Sequence, residues 1–172
     1  MALIDIMRIL AILKLALLSL ALLISASCTT MSSKIGGLVN LDTDVSFDFY
    51  VDADVNPDDQ NTPSPIVIRM YELKCPKMLE KVNFIDLYEQ DAQILGDDMV
   101  SKQRLKHLLP GQKRKDKFVL NNETKYIGLF AEFLKYKNSA YKLIIPETQN
   151  NMISSSTEIK LSDNRLSFLK QK

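Results

Sequence analysis

One histidine, two cysteines and a crowd of aspartates are the side chains here whose types and spacing could do chemistry. His107 would have to be the general base of any Ser-His-Asp or Cys-His arrangement. It stands between Lys106 and Leu108 in a strand-like alternation, and no strained nucleophile turn of the G-x-S-x-G kind accompanies it. Cys75 precedes Pro76 with no histidine near it in sequence, which reads as a small apolar core thiol and not a nucleophile. Asp52-x-Asp54-x-Asn56 starts like a calcium loop, but the glycine and glutamate that such a loop needs further on are replaced by Pro57 and Pro63. The sequence holds no glycine-rich phosphate loop, CxxC pair or zinc spacing. The expectation is a chain that is not an enzyme and that carries no metal and no dissociable cofactor.

Cys28 is a different case. Leu15 to Ile24, LALLSLALLI, is an apolar stretch of signal-peptide length, too short to span a bilayer comfortably. Arg8 and Lys14 supply positive charge before it, and Ser25, Ala26 and Ser27 lead straight into Cys28. An ordinary signal peptidase needs small residues at the cut but no cysteine after it. A lipoprotein signal does need one, because the thiol takes a diacylglycerol before cleavage exposes its amine. Residues 24–28, ISASC, are similar to such a lipobox, with Ser25 where Leu is commonest. Residues 1–27 are therefore expected to be a cleaved lipoprotein signal, and Cys28 the site of a covalent lipid. A single acyl chain anchors only marginally, at ~0.8 kcal/mol per buried CH₂, whereas a triacylated cysteine anchors stably. Thr29 is not the aspartate that retains lipoproteins at the inner membrane, which points to the outer membrane with the domain in the periplasm. Residues 28–41, small and polar with Gly36 and Gly37, read as a lipidated flexible tether. The domain after it holds one thiol, Cys75, so no internal disulfide is expected.

Alternation of period two begins at Val45. Val45, Phe47, Phe49, Val51, Ala53 and Val55 are apolar, with Ser46, Asp48, Asp52, Asp54 and Asn56 among the residues between them. That pattern predicts a half-buried antiparallel strand. Ile66 to Leu73, after Pro63-Ser64-Pro65, is apolar and rich in β-branched residues apart from Arg69 and Glu72, and predicts a more central strand. Asn83 is placed to cap a short helix over Phe84 to Glu89. Further strand-like runs are Met99 to Leu109, Phe118 to Leu120, Tyr126 to Leu134 and Tyr141 to Ile145. Thr157 to Leu161 and Arg165 to Leu169 read as a hairpin through Ser162-Asp163-Asn164. Short strands at regular spacing with one short helix predict an all-β antiparallel sandwich over residues 42–172.

Formal net charge is +1, and removing Arg8, Lys14 and Asp5 with residues 1–27 leaves the two signs equal. That excludes an electrostatic footprint for nucleic acid over the whole domain. Locally the signs separate. Asp42, Asp44, Asp48, Asp52, Asp54, Asp58 and Asp59 lie together without a basic residue, while Lys102 to Lys117 is basic but for Asp116. Solvated strand faces account for such runs, and so does a partner that needs one pole.

Val51 to Leu73 reads VDADVNPDDQNTPSPIVIRMYEL, followed by Phe84-Ile85-Asp86-Leu87-Tyr88, Leu95-Gly96-Asp97-Asp98, Leu109-Pro110-Gly111-Gln112 and Tyr126 to Phe133. In this order and spacing, over residues 45–146 and with the lipobox, the chain resembles the TssJ (VasD, SciN) family, the outer-membrane lipoproteins of the bacterial type VI secretion system. Gln60, Asn61, Thr62 and Pro63 depart from that family's frequent glycine and basic residue, and Tyr141 stands where it commonly has Trp. The resemblance implies a transthyretin-like sandwich that binds the periplasmic part of the inner-membrane protein TssM and so ties the secretion membrane complex to the outer membrane. The loop Asp54 to Ser64, stiffened by Pro57 and Pro63, is the expected contact surface, through Asp54, Asn56, Pro57, Asp58, Asp59, Gln60 and Asn61. A periplasmic or surface lipoprotein that binds a small ligand or glycan with the same sandwich is the alternative, because fold alone does not decide function.

Overall fold

The computed structural model describes residues 43–147 and 156–169, so Cys28, the signal and the tether lie outside the described residues. Among the described residues the strands are β1 (Thr43–Val51), β2 (Ile68–Leu73), β3 (Met99–Arg104), β4 (Lys113–Leu120), β5 (Tyr126–Ala131), β6 (Lys142–Pro146), β7 (Thr157–Ser162) and β8 (Arg165–Phe168). Two helices, α1 (Lys77–Lys81) and α2 (Phe84–Leu95), stand between β2 and β3. The strands form two four-stranded sheets in the orders β4-β1-β7-β8 and β3-β2-β5-β6. All neighbours are antiparallel except β1 and β7, which run parallel with Phe47 opposite Thr157. A parallel neighbour requires a long crossover, and here the crossover takes in the whole second sheet together with β4 of the first.

The sandwich core follows from the alternation. Phe47, Phe49, Ile159, Leu161 and Leu166 of the first sheet meet Ile68, Met70, Ile127, Leu129 and Ile145 of the second, all buried. The outer face of the second sheet is covered by the helices, where Tyr71, Leu73 and Phe130 bury Leu79, Phe84, Leu87 and Leu95. This is why β2 and β5 are buried on both faces along nearly all their length. β4 on the first sheet alternates exposed and half-buried along most of its length.

Several expectations about boundaries change; β4 begins at Lys113, well before Phe118, and β5 stops at Ala131, short of Leu134. The first strand ends at Val51, and Val55 reaches the core from a turn. The third strand stops at Arg104, short of Leu109. The helix capped by Asn83, whose side chain accepts from the Asp86 N–H, runs on to Leu95 with a kink at Gln90 (φ −132°, ψ 31°). Gly96 ends it with φ +46°, a conformation open to glycine. Helix α1 lies on Gly128 of β5, where a Cβ would collide with the Leu79 side chain. Lys142 then closes the end of α1, its Nζ donating to the carbonyls of Leu79, Glu80 and Val82 at 2.8, 2.7 and 2.8 Å.

Candidate partner-binding site

The connections β1–β2, β3–β4, β5–β6 and β7–β8 gather at one end of the sandwich, because each leaves the same end of its sheet. Backbone hydrogen bonds tie them together. The Val51 N–H donates to Gln112 O at 2.9 Å, the Asn56 N–H to Asp163 O at 2.8 Å, and the Ala140 N–H to Asn164 O at 3.0 Å. The described chain begins at the opposite end, at Thr43.

The β1–β2 loop holds its own shape. The Asp58 carboxylate accepts from the Gln60 N–H (2.9 Å) and the Thr62 N–H (2.8 Å), and the Asp58 N–H donates to Thr62 O at 2.9 Å. Asn61 sits at φ +58°, a region asparagine tolerates, and its Oδ1 accepts from Lys135 Nζ at 3.0 Å. Asp59, Gln60 and Asn61 are exposed at the tip and Pro57 is half-buried.

Asn56 does not belong with the expected contact residues. It is 2% exposed, at φ +50°, and its amide donates to Pro65 O (2.9 Å) while its Oδ1 accepts from the Leu134 N–H (2.8 Å). It shapes the loop from beneath. Asp54 is exposed, but its Oδ1 faces the Asp163 N–H at 3.3 Å. Of the expected residues, Asp59, Gln60 and Asn61 form the exposed tip, and Asp58 arranges them.

Sequence reasoning missed two neighbours. Leu109 and Leu134 are 51% and 57% exposed at this same end. Leu134 is fastened beside the loop by its bond to Asn56, and Leu109 lies in the turn closed by the Gln112 N–H on Leu109 O. An apolar residue inside turn chemistry, as in Leu109-Pro110-Gly111, was the signal available.

The residues considered for chemistry are dispersed. His107 is exposed in the β3–β4 loop, its carbonyl accepting from Arg114 Nη1 at 3.1 Å, and Cys75 is buried at the far side before α1. Asp52 pairs with Lys160 at 2.9 Å. The strongest charge cluster lies beneath α2 instead. Arg69 Nε meets Glu132 Oε1 at 2.6 Å and its Nη1 meets Asp91 Oδ2 at 3.0 Å; Lys102 Nζ reaches Asp91 Oδ1 at 2.9 Å and the Tyr71 hydroxyl donates to Asp91 Oδ2 at 2.9 Å. Arg104 completes it on Glu132 at 3.0 Å. Burial opposes ionisation of Asp91, but the bonds from Lys102, Tyr71 and Arg69 outweigh it and hold the carboxyl below its ordinary value. Burial first, then the Asp91 charge, push the Tyr71 hydroxyl well up. The cleft outside this cluster measures about 530 Å³, but these groups satisfy one another, so they fasten α2 to the sheet.

Comparison with curated proteins gives no match. Among solved structures the fold is shared with the type VI secretion lipoprotein TssJ1 from Pseudomonas aeruginosa (TM-score 0.66, 19% identity, 75% of this chain and 96% of that one). It is shared equally with Serratia marcescens Lip, a membrane-bound component of the type VI secretion system (TM-score 0.66, 22% identity, 75% and 97%). A chain in a structure of the type VI secretion TssM C-terminal domain from EAEC is also similar (TM-score 0.62, 18% identity, 74% and 98%). The family described as type VI secretion lipoprotein, VasD, EvfM, TssJ matches residues 43–164. The chain belongs to this family of type VI secretion lipoproteins.

Proposed function

We propose that this protein is a non-enzymatic anchor: lipid on Cys28 holds it to the outer membrane, and its loop end grips the periplasmic domain of TssM. The observation that carries the reading is the gathering of four connections at the end opposite Thr43. A chain tethered at one end of a rigid sandwich presents the other end to whatever spans the periplasm. Family membership supports the secretion role, and the likeness to a chain found in a TssM structure supports this partner.

The loop end suits docking. Asp58 and the prolines order the β1–β2 loop beforehand, so little entropy is lost on binding. Exposed Leu109 and Leu134 offer apolar anchors beside the polar tip. The test is affinity capture from solubilised membranes with wild type and with an Asp59→Arg, Leu134→Glu variant, which leaves Asp58 and Asn56 in place. TssM is expected to dominate the wild-type capture and to fall at least ~10-fold with the variant, about 1.4 kcal/mol, at unchanged melting temperature. Equal capture by the folded variant refutes this contact surface. Cys28→Ser tests the anchor: recovery of the variant in the outer membrane at wild-type levels, with palmitate incorporated, refutes lipid attachment there.

A further inference from the structure

The two flanks of the sandwich differ. Where β6 meets β8, Ala140 bridges to Arg165 and the Leu166 N–H donates to Ala140 O at 2.8 Å, stitching the sheets together. The other flank is open, with β3 and β4 as free edge strands. Along β4 the outward row is Lys113, Lys115, Lys117 and Val119, all exposed. Alternate strand positions are about 7 Å apart, so the row extends about 20 Å. Its register against β1 sets its direction. Lys113 lies opposite Tyr50 towards the loop end, while Lys117 and Val119 lie opposite Ser46 and Asp44, where the chain comes in from the tether.

The acidic side chains on this face that have printed contacts are engaged. Asp48 meets Lys115 at 3.3 Å, Glu158 accepts from the Tyr50 hydroxyl, and Lys160 is taken up by Asp52. Lys113 lies over the Tyr50 ring at 5.4 Å, and Lys117 lies opposite Ser46. Lysines on an edge strand also discourage pairing with other strands, which accounts for their presence in the row. It does not account for Val119. At 63% it is the most exposed large apolar side chain among the described residues, and it ends the row at the end of the sheet where β1 begins.

We infer that the β4 row is a membrane-facing surface, which lays the domain against anionic lipid headgroups of the membrane that holds its acyl chains. The inference rests on acylation at Cys28. Cys28 and Thr43 are fifteen residues apart, which even fully extended span at most about 50 Å, so the domain stays within reach of the bilayer. Lysines are drawn to an anionic surface, and a domain already confined there by its lipid needs little further attraction to settle on it. The phosphates meet Lys113, Lys115 and Lys117, and Val119 enters the headgroup layer. The row stops at Lys113, so the connections beyond it at the loop end are left uncovered by the membrane.

The test is lysine footprinting of the full acylated protein. It is reconstituted in vesicles of phosphatidylethanolamine with phosphatidylglycerol, and separately in vesicles of phosphatidylcholine alone. Labelling of Lys113, Lys115 and Lys117 is expected to fall several-fold on the anionic vesicles only, and to recover at high salt, while Lys81 and Lys137 label equally on both. Equal labelling of the row on both vesicles, with the protein floating with them, overturns the membrane-facing surface and leaves the anchor intact. Failure to float with either vesicle overturns both. Protection that appears only when the TssM C-terminal domain is added makes the row a protein interface and also overturns the inference. As a second variant, Lys113→Gln, Lys115→Gln, Lys117→Gln should float as wild type yet leave Val119, replaced by a spin-labelled cysteine in a Cys75→Ala background, freely mobile on anionic vesicles. An immobile label in that variant counts against the row.

Discussion

Asp91 and Asn56 carry more of the architecture than their polar character announces. Asp91 is buried and accepts from Arg69, Tyr71 and Lys102 at once. Replacing it by Asn removes the charge that balances two cations and should cost about 3 kcal/mol, read as a lower urea midpoint. Its folded pKa lies below the unfolded one, so its contribution is fully present above the ordinary carboxylate value and is lost as pH falls through the folded value. Wild type should therefore lose stability below about pH 4, and Asp91→Asn should lose less over that interval. An identical pH slope for both proteins contradicts this account. Asn56 joins a positive φ to two side-chain bonds, so Asn56→Ala should cost about 2–4 kcal/mol by thermal melting. Neither role was legible beforehand. Asn-Pro-Asp announces a turn, but which of its side chains points inward depends on Leu134 and Pro65, which only the fold brings near.

At the level of elements, period-two patterning located most strands because one face of each meets the sandwich core. Where helices cover the outer face of a sheet, largely apolar runs marked β2 and β5 in its place, and it misplaced the end of the first strand, because Val55 reaches the core from a loop. Helix α1 was invisible: five residues after a proline carry no helical signal, and the helix exists because Leu79 finds Gly128 and Lys142 caps its carbonyls. Burial lowers the Lys142 pKa, with Glu80 opposing, while the three carbonyls keep each of its donors occupied. Lys142→Met should thus lower stability by about 2 kcal/mol and speed amide exchange in residues 77–82 before the strands are affected. Exchange unchanged in that segment would remove the capping role. The acidic and basic runs seen in the sequence also resolve at this scale. β1 and β4 are neighbours, with Asp48 opposite Lys115, so part of one run neutralises the other across strands.

Over the whole molecule the least local decision is the parallel pairing of β1 with β7. The hairpin through Ser162-Asp163-Asn164 was readable from turn chemistry, and Asp163 adopts φ +47° in it. Its docking place was not readable, because nothing in Thr157 to Phe168 says that it joins the first strand and not the last. The hairpin is nonetheless integral to the core. Ile159, Leu161 and Leu166 are 0%, 0% and 2% exposed, and they cover Phe47 and Phe49 together with the second sheet. Burying each is worth roughly 1.5–3 kcal/mol, so their loss removes about 5–9 kcal/mol from a total that for such domains is only about 5–15. The β1 edge would be uncovered as well, along with the bonds from the Asp52 and Asn56 N–H groups to Leu161 and Asp163 that hold the loop end. A chain ending at Ser155 is therefore expected to show no cooperative thermal transition and to lose partner binding together with its fold. If that truncated chain melts within a few degrees of the full-length protein, the hairpin is an appendage, and the loop end owes its shape to the remaining six strands alone.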